Sequence, residues 1–179
     1  METDRLILRP WCEADAEALF RYASDPDVGP LAGWPPHQSV EESLNIIRTV
    51  FANDRTWAME LKATGEPIGC IGYYIYGESN IEIGPADAEL GYWVGRPYWN
   101  QGLCTEAVQR MIAYCMTEKG VRTLWCDHFV DNPASGRVMA KCGFNATGLV
   151  NHCSRLGHGA DRPVKIMKLS YQYHPHTNG

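Results

Sequence analysis

The sequence predicts an α/β fold with a single mixed, mainly antiparallel sheet of about six or seven strands, helices on both faces and one parallel crossover. Three observations predict this class. Short apolar segments alternate with amphipathic segments along the whole chain. The turn sequence Thr-Gly-Glu-Pro at residues 64–67 separates two strand-like segments by the length of an antiparallel hairpin. Residues 88–130 run in the order strand, helix, strand, which is the arrangement of a parallel crossover.

Each element follows from a local pattern. Strands are predicted where β-branched, aromatic and other apolar residues cluster between turn residues, at residues 5–11, 56–61, 68–76, 88–94, 123–130, 146–152 and 164–173. Helices are predicted where apolar residues recur at three- and four-residue spacing, at residues 13–22, 39–51, 105–119 and 132–143. The second helix begins with a capping box at residues 39–42. Residues 28–37 contain two glycines and three prolines and are predicted to form a long loop that contacts substrate, and residues 174–179 are predicted to fray.

Composition narrows the class of protein. No linker or repeat divides the 179 residues, so a single domain over residues 1–179 is expected. No apolar run approaches the roughly 18 residues of a membrane helix, so no membrane association is expected. Glu2 and Asp4 stand where a secretion signal would be basic, and the protein is expected to be cytoplasmic. The net charge of −5 disfavours nucleic-acid binding, which needs clustered lysines and arginines.

The seven cysteines are scattered singly, with no CxxC pair. This usage is typical of small buried residues in a reducing cytoplasm. Cys126 and His128, with His152, Cys153 and His158 further along the chain, match no zinc-binding spacing. No metal is therefore expected.

Residues 89–106 carry the strongest functional signal. A strand enters a turn at Gly102 and then begins a helix, which would present backbone N–H groups and the positive end of a helix dipole to one point. Such a point suits a diphosphate. No lysine follows Gly102 and the glycine stands alone, so the segment matches neither the Walker pattern nor G-x-G-x-x-G. A nucleoside triphosphatase and a Rossmann dehydrogenase are therefore disfavoured.

Four segments resemble the GNAT superfamily of acetyltransferases, and within it the branch of ribosomal-protein N-terminal acetyltransferases: residues 3–9, 88–94, 98–107 and 132–144. They follow family order and spacing and span nearly the whole chain. The resemblance implies a GNAT-like fold and acetyl-CoA as co-substrate, without a metal. It also implies an amine acceptor, either the N-terminal amine of a ribosomal protein or a small amine, and it is compatible with a homodimer.

The same resemblance assigns acetyl-CoA to residues 92–105. The family's pyrophosphate loop, Q/R-x-x-G-x-G/A, corresponds here to Trp99, Gly102 and Cys104, of which Gly102 keeps the family residue. In the family, the strand that matches residues 92–94 carries a bulge and splays from the next strand, and a backbone N–H, here that of Val94, polarises the thioester carbonyl. The residues implied to bind the coenzyme are Trp93, Val94, Asn100, Gln101, Gly102, Leu103, Cys104, Thr105 and Asn132.

Asn132 and Ser135 stand at the start of a predicted helix. The resemblance implies that Asn132 bonds the pantetheine arm, but a position before proline also suits a helix cap. Ser135 lies one turn into the helix, where its hydroxyl could return a proton to the departing CoA thiolate. Tyr92 and Tyr98 are the alternative acids.

Glu89 is the candidate base, because it precedes the loop glycine by about the same distance as the catalytic glutamate of other GNAT members. His128 is the alternative, since a pKa near neutrality suits that task, and Asp87 and Asp127 also stay open. Two other function classes remain beside the acetyltransferase. One is a noncatalytic acyl-CoA-binding regulatory domain, and the other is a metal-dependent hydrolase built on cysteine and histidine.

Overall fold

The computed structural model of the chain describes residues 1–153 and 162–170. Within them lie seven strands: β1 (Leu6–Arg9), β2 (Thr56–Leu61), β3 (Glu66–Ile75), β4 (Asp87–Val94), β5 (Thr123–Phe129), β6 (Asn145–Cys153) and β7 (Arg162–Ser170). They form one sheet in the order β1-β2-β3-β4-β5-β7-β6. Every neighbouring pair is antiparallel except β4 and β5, which are parallel. The predicted fold class is confirmed, including its one parallel crossover.

Helices pack on both faces of this sheet, as predicted. In the described residues they are α1 (Ala16–Ala23), α2 (Gly29–Ala32), α3 (Val40–Thr49), α4 (Leu103–Ala113) and α5 (Pro133–Lys141). Leu19 of α1 and Ile47 of α3 belong to the core of one face. Met111 of α4 and Met139 of α5 belong to the larger core of the other face. None of the helices in this part of the chain has the length and apolar character needed to cross a membrane.

The predicted loop at residues 28–37 is partly helical. α2 makes one turn there, with Pro30 in its first turn and Gly33 ending it at φ +96°. Proline fits the start of a helix because it needs no N–H donor there, and glycine tolerates the left-handed conformation that ends one. Composition alone therefore misassigned the segment as irregular.

Other predicted boundaries shift by a few residues. The first helix starts with a 3₁₀ turn, Glu13–Asp15. α4 begins at Leu103, two residues before the predicted start, and continues after Ala113 as a π-helical turn, Tyr114–Glu118. Residues 171–173 of the last predicted strand and the tail predicted at 174–179 lie outside the described residues.

β4 and β5 pair briefly and then separate. Residues 87–89 pair with residues 123–125, while β4 stays paired with β3 as far as Val94. At the point of separation the Cys126 thiol lies 3.2 Å from the Leu90 carbonyl oxygen, in place of a main-chain donor. The predicted splay is present, but the β3–β4 register runs without a shift. The bulge expected in β4 is therefore absent from its pairing with β3.

Arg9 ties β1 to the first helical turn. Its guanidinium donates to the two carboxylate oxygens of Asp15 at 2.7 and 2.8 Å, and the Cys12 N–H donates to the same carboxylate at 3.0 Å. Burial acts to raise the pKa of Asp15, but these hydrogen bonds outweigh it and hold the pKa below its ordinary value. The carboxylate therefore stabilises the fold fully above its unfolded pKa, and the contribution is lost as pH falls through the folded pKa.

We expect Asp15→Asn to lower the free energy of unfolding by about 2 kcal/mol near neutral pH, because charged hydrogen bonds are lost in a buried place. The difference from wild type should shrink below about pH 4, where the Asp15 carboxylate protonates first in the unfolded chain and, at lower pH, in the folded protein. Denaturant unfolding at pH 7 and at pH 3 measures both effects. Asp4→Asn, at an exposed position, is the matched control and should change stability by less than about 0.5 kcal/mol. A difference for Asp15→Asn that is equal at both pH values would contradict the assignment.

Candidate functional site

The last residues of β4 turn backbone groups toward the gap beside β5. The Gly95 N–H donates to the Ile68 carbonyl of β3 at 2.8 Å. Because main-chain groups alternate along an antiparallel pair, the N–H and carbonyl of Val94 point the other way, into the gap. The Val94 carbonyl accepts a hydrogen bond from Trp99 Nε1 at 2.8 Å, so the Trp99 ring folds back over the strand end. The Val94 N–H is the group that the family resemblance implies as a donor to the thioester carbonyl, and that role stays a prediction.

The turn after β4 leads directly into α4. Asn100 and Gly102 both have positive φ, +60° and +77°, and α4 begins without a side-chain cap. The N–H groups of the first turn, residues 103–105, therefore have no helical carbonyl to bond. The Arg5 guanidinium braces the turn by donating to the Gln101 carbonyl at 2.9 Å and to Glu106 at 2.7 Å.

A first cavity of about 470 Å³ lies between the ends of β4 and β5 and the starts of α4 and α5. This volume is within the usual range for small-molecule sites. It brings together most of the predicted site residues: Trp93, Val94, Asn100, Gly102, Leu103, Cys104, Thr105, Asn132 and Ser135. Gln101 and Glu89 do not line it. The Gln101 side chain instead donates to the Pro97 carbonyl at 2.9 Å.

Two cations of the first cavity were missed by the sequence reasoning. Arg137 and Lys141 both line it from α5. Their four-residue spacing places them on one side of the helix, and that spacing was the available signal. They add positive charge to the wall of a cavity that also contains the N-terminal end of α4, so the cavity favours an anion.

The start of α5 is held by Asn132. Its Oδ1 accepts from the Ser135 N–H at 3.3 Å, and its Nδ2 donates to the Leu31 carbonyl of α2 at 3.1 Å. The side chain thus acts as the helix cap and also faces the first cavity. Its predicted bond to the pantetheine arm stays a prediction.

Ser135 and Tyr92 form a hydroxyl pair in the first cavity. The Tyr92 hydroxyl lies 3.0 Å from Ser135 Oγ and donates to the Ser135 carbonyl at 3.0 Å. Burial raises the pKa of Tyr92 well above its ordinary value, so the phenol stays protonated at neutral pH. Tyr98, the other predicted acid, also lines the cavity, with its hydroxyl 3.1 Å from that of Tyr22.

Glu89 lies apart from this pair. Its side chain is 1% exposed, and Oε2 accepts from Ser79 Oγ at 2.7 Å and from the Asn80 N–H at 3.0 Å. It therefore fixes the segment that follows β3, and it lines neither large cavity. Its role as base stays a prediction that these contacts do not favour.

The alternative bases also have defined contacts. His128 Nδ1 donates to the Phe129 carbonyl at 2.8 Å, and its Nε2 side packs on Gly136, where an added Cβ would lie 2.6 Å away. The His128 ring therefore packs between β5 and α5, and it also lines the first cavity. Asp87 accepts from Trp125 Nε1 at 3.0 Å, and Asp127 lines the first cavity.

A second cavity of about 490 Å³ lies over β2–β4 on the face covered by α1 and α3. It shares Ala32, Tyr92 and Trp93 with the first cavity, so the two meet beside the end of β4. Its wall is rich in aromatic side chains and includes an ion pair, in which Arg55 donates to Glu78 at 2.8 Å. Within residues 1–153 and 162–170, no three His, Cys, Asp or Glu side chains are grouped to hold a metal ion.

Known proteins match this chain across most of its length. The family model for the acetyltransferase (GNAT) domain matches residues 5–145. The uncharacterized N-acetyltransferase YoaA of Bacillus subtilis is 31% identical over 155 residues, which are 84% of this chain and 85% of that protein. The ribosomal-protein-serine acetyltransferase of Escherichia coli is 27% identical over 132 residues, which are 72% and 71% of the two chains.

Solved structures share the fold. A GNAT-family acetyltransferase from Bacillus anthracis has a TM-score of 0.81 at 23% identity, over 95% of this chain and 97% of that one. AAC(6')-Ib, solved in complex with ribostamycin and coenzyme A, has a TM-score of 0.75 at 19% identity, over 98% and 99% of the two chains. At these identities the likeness establishes the architecture alone.

Proposed function

The chain belongs to the GNAT family of acetyl-CoA-dependent N-acetyltransferases, and we propose that it passes the acetyl group directly to a primary amine held in the second cavity. The junction of the two cavities at Trp93 carries this proposal. Direct transfer needs the thioester and the amine to reach one point from separate sites. Here the two cavities have mostly different walls, and both open on the same side chains.

Acetyl-CoA suits the first cavity in charge and in shape. The N–H groups of residues 103–105 would hold the diphosphate at the positive end of α4. Arg137 and Lys141 would supply charge for the remaining phosphate. The narrow pantetheine arm fits the gap between β4 and β5, where the Val94 N–H would donate to the thioester carbonyl.

The proposed reaction needs no covalent enzyme intermediate. The neutral amine nitrogen attacks the carbonyl carbon, the C–S bond breaks, the nitrogen loses a proton and the sulfur gains one. The Val94 N–H steadies the negative charge that develops on the carbonyl oxygen. The Ser135–Tyr92 hydroxyl pair donates the proton to the departing thiolate, and water restores it.

The acceptor is either the N-terminal amine of a ribosomal protein or a small amine. The first is supported by the Escherichia coli relative, which acts on ribosomal-protein serine. The second is supported by the shared fold of a protein that binds ribostamycin. The aromatic wall of the second cavity and its Arg55–Glu78 ion pair are compatible with either acceptor. Assembly as a homodimer stays a prediction.

The proposed function is tested by following thiol release from acetyl-CoA in the presence of primary amines. The panel contains tetrapeptides that begin with serine, alanine or methionine, together with spermidine and ribostamycin. We expect release with at least one of them and an acetyl group on its nitrogen by mass spectrometry. The same peptide with a blocked N-terminus is the matched control and should give no release. Tight binding of acetyl-CoA without turnover of any amine would favour the noncatalytic acyl-CoA-binding domain.

A further inference from the structure

His37 faces the second cavity with its ring held in place. Its backbone N–H donates to the Ala23 carbonyl at 3.0 Å. Its side-chain Nδ1 lies 2.8 Å from Oγ of Ser43, which is fully buried. The contact with Ser43 occupies Nδ1. Nε2 is therefore the ring nitrogen that can form a hydrogen bond with a ligand in the cavity.

Aromatic rings connect His37 to the junction of the cavities. The ring centroids of Trp34 and His37 are 5.3 Å apart, and those of Trp34 and Trp93 are 5.4 Å apart in an edge-on contact. Trp93 lines both cavities. His37 therefore stands on the acceptor side of the junction, two ring contacts from the β4 end.

The surroundings of His37 favour the neutral ring. Burial lowers the pKa of His37, and the nearby carboxylate of Glu42 opposes that effect without overcoming it. The titratable groups that line the same cavity are Arg55, Cys70, Tyr73, Tyr74, Glu78 and Tyr92. Of these, Arg55 and Glu78 neutralise each other as an ion pair. A neutral imidazole is the form that can accept a proton.

We propose that His37 is the base that takes the proton from the acceptor amine. This inference rests on the proposed function, since it concerns the same reaction. The amine nitrogen forms its bond to the acetyl carbon and gives up one proton, which water in the second cavity carries to His37 Nε2, because Trp34 separates the His37 ring from Trp93. In this step Nδ1 carries the ring hydrogen and donates it to Ser43 Oγ. The imidazolium then releases the proton to water. The thiolate that leaves takes its own proton from the Ser135–Tyr92 pair, so protons and charges balance.

The test compares His37→Asn with His152→Asn, using whichever amine of the panel is turned over. Asparagine can keep the hydrogen bond to Ser43 but does not titrate, and His152 is exposed on β6, outside both cavities. We expect His37→Asn to lower kcat about 30-fold near pH 7, with acetyl-CoA affinity within about twofold of wild type. The rate should recover as pH rises toward about 9, where the amine deprotonates in solution. His152→Asn should behave as wild type.

The Ser43→Ala variant distinguishes a catalytic role of His37 from a purely structural one. It keeps the imidazole, so we expect a smaller fall in kcat and a displaced pH profile. If His37 served only to hold Ser43, His37→Asn, which keeps that hydrogen bond, would retain its activity, while Ser43→Ala would lose stability and activity with an unchanged pH profile. That result would make the inference wrong. The inference would also be wrong if Glu89→Gln were active only at high pH while His37→Asn kept its activity at neutral pH. Absence of turnover by the wild-type protein would contradict the proposed function itself.

Discussion

Gly102→Val is expected to weaken acetyl-CoA binding about 100-fold, or roughly 2.7 kcal/mol. Gly102 has φ +77°, which a β-branched residue adopts only with strain. Relief of that strain would move the turn that aims the N–H groups of residues 103–105 into the first cavity. A valine side chain would also stand where a diphosphate must approach the backbone closely. Calorimetric titration with acetyl-CoA measures the loss.

Gly120→Val is the matched control for backbone strain. Gly120 has φ +68°, has open space where a side chain would begin, and lines neither cavity. Both variants should lose about 1 to 3 kcal/mol of stability, but only the change at Gly102 should reduce affinity. An added Cβ at Gly102 meets nothing closer than Arg5 Nη2 at 3.6 Å, so the fold should survive. Wild-type affinity in Gly102→Val would show that this turn does not hold the diphosphate.

Local signals predicted the elements of this fold well. Ser39 and Glu42 formed a recognisable capping sequence, and in the structure Ser39 Oγ accepts from the Glu42 N–H at 3.0 Å, at the start of α3. The turn at residues 64–67 likewise leads into the antiparallel β2–β3 pair. Both features depend on residues within four positions of each other, which is the range over which sequence pattern is informative.

The order of the strands could not be predicted in the same way. β7 lies between β5 and β6, so the last strand of the described residues inserts beside a strand some forty residues earlier. That placement depends on which apolar faces fit together across the sheet, and periodicity carries no information about partners. Local patterns therefore predicted about six or seven strands and the single parallel pair, but not the arrangement at that edge.

The same difference between local and long-range information applies to the predicted site residues. Gly102 and the start of α4 were found because the turn and the helix start are adjacent in sequence. Glu89 was chosen by its distance from Gly102, and a strand position does not reveal that Ser79 and Asn80 cover the carboxylate. His37 was passed over inside the segment assigned as loop, because its significance depends on contacts with α1 and α3.

The second large effect is expected at the hydroxyl pair. Ser135→Ala and Tyr92→Phe should each lower kcat by roughly 100-fold to 1,000-fold, because protonation of the thiolate matters only as the C–S bond breaks. Acetyl-CoA affinity should change by less than about threefold, since these bonds strengthen in the transition state. Steady-state kinetics with the amine found in the screen, together with calorimetric titration, separates the two quantities. Tyr98→Phe changes the other cavity phenol in the same way and tests the alternative acid.

The double variant Ser135→Ala/Tyr92→Phe decides whether the two hydroxyls act as one unit. Their oxygens are 3.0 Å apart, so removal of either hydroxyl breaks the contact between them. If they share one proton-donating role, the double variant should be about as slow as the slower single variant, because effects of groups that act together do not add. Multiplied losses would mean that each hydroxyl contributes by a separate route. Full activity in Ser135→Ala and Tyr92→Phe, with loss in Tyr98→Phe, would move the acid to Tyr98. Full activity in all three would mean that the thiolate leaves without a side-chain acid, and that the backbone donor and the positioning of the two substrates supply the rate.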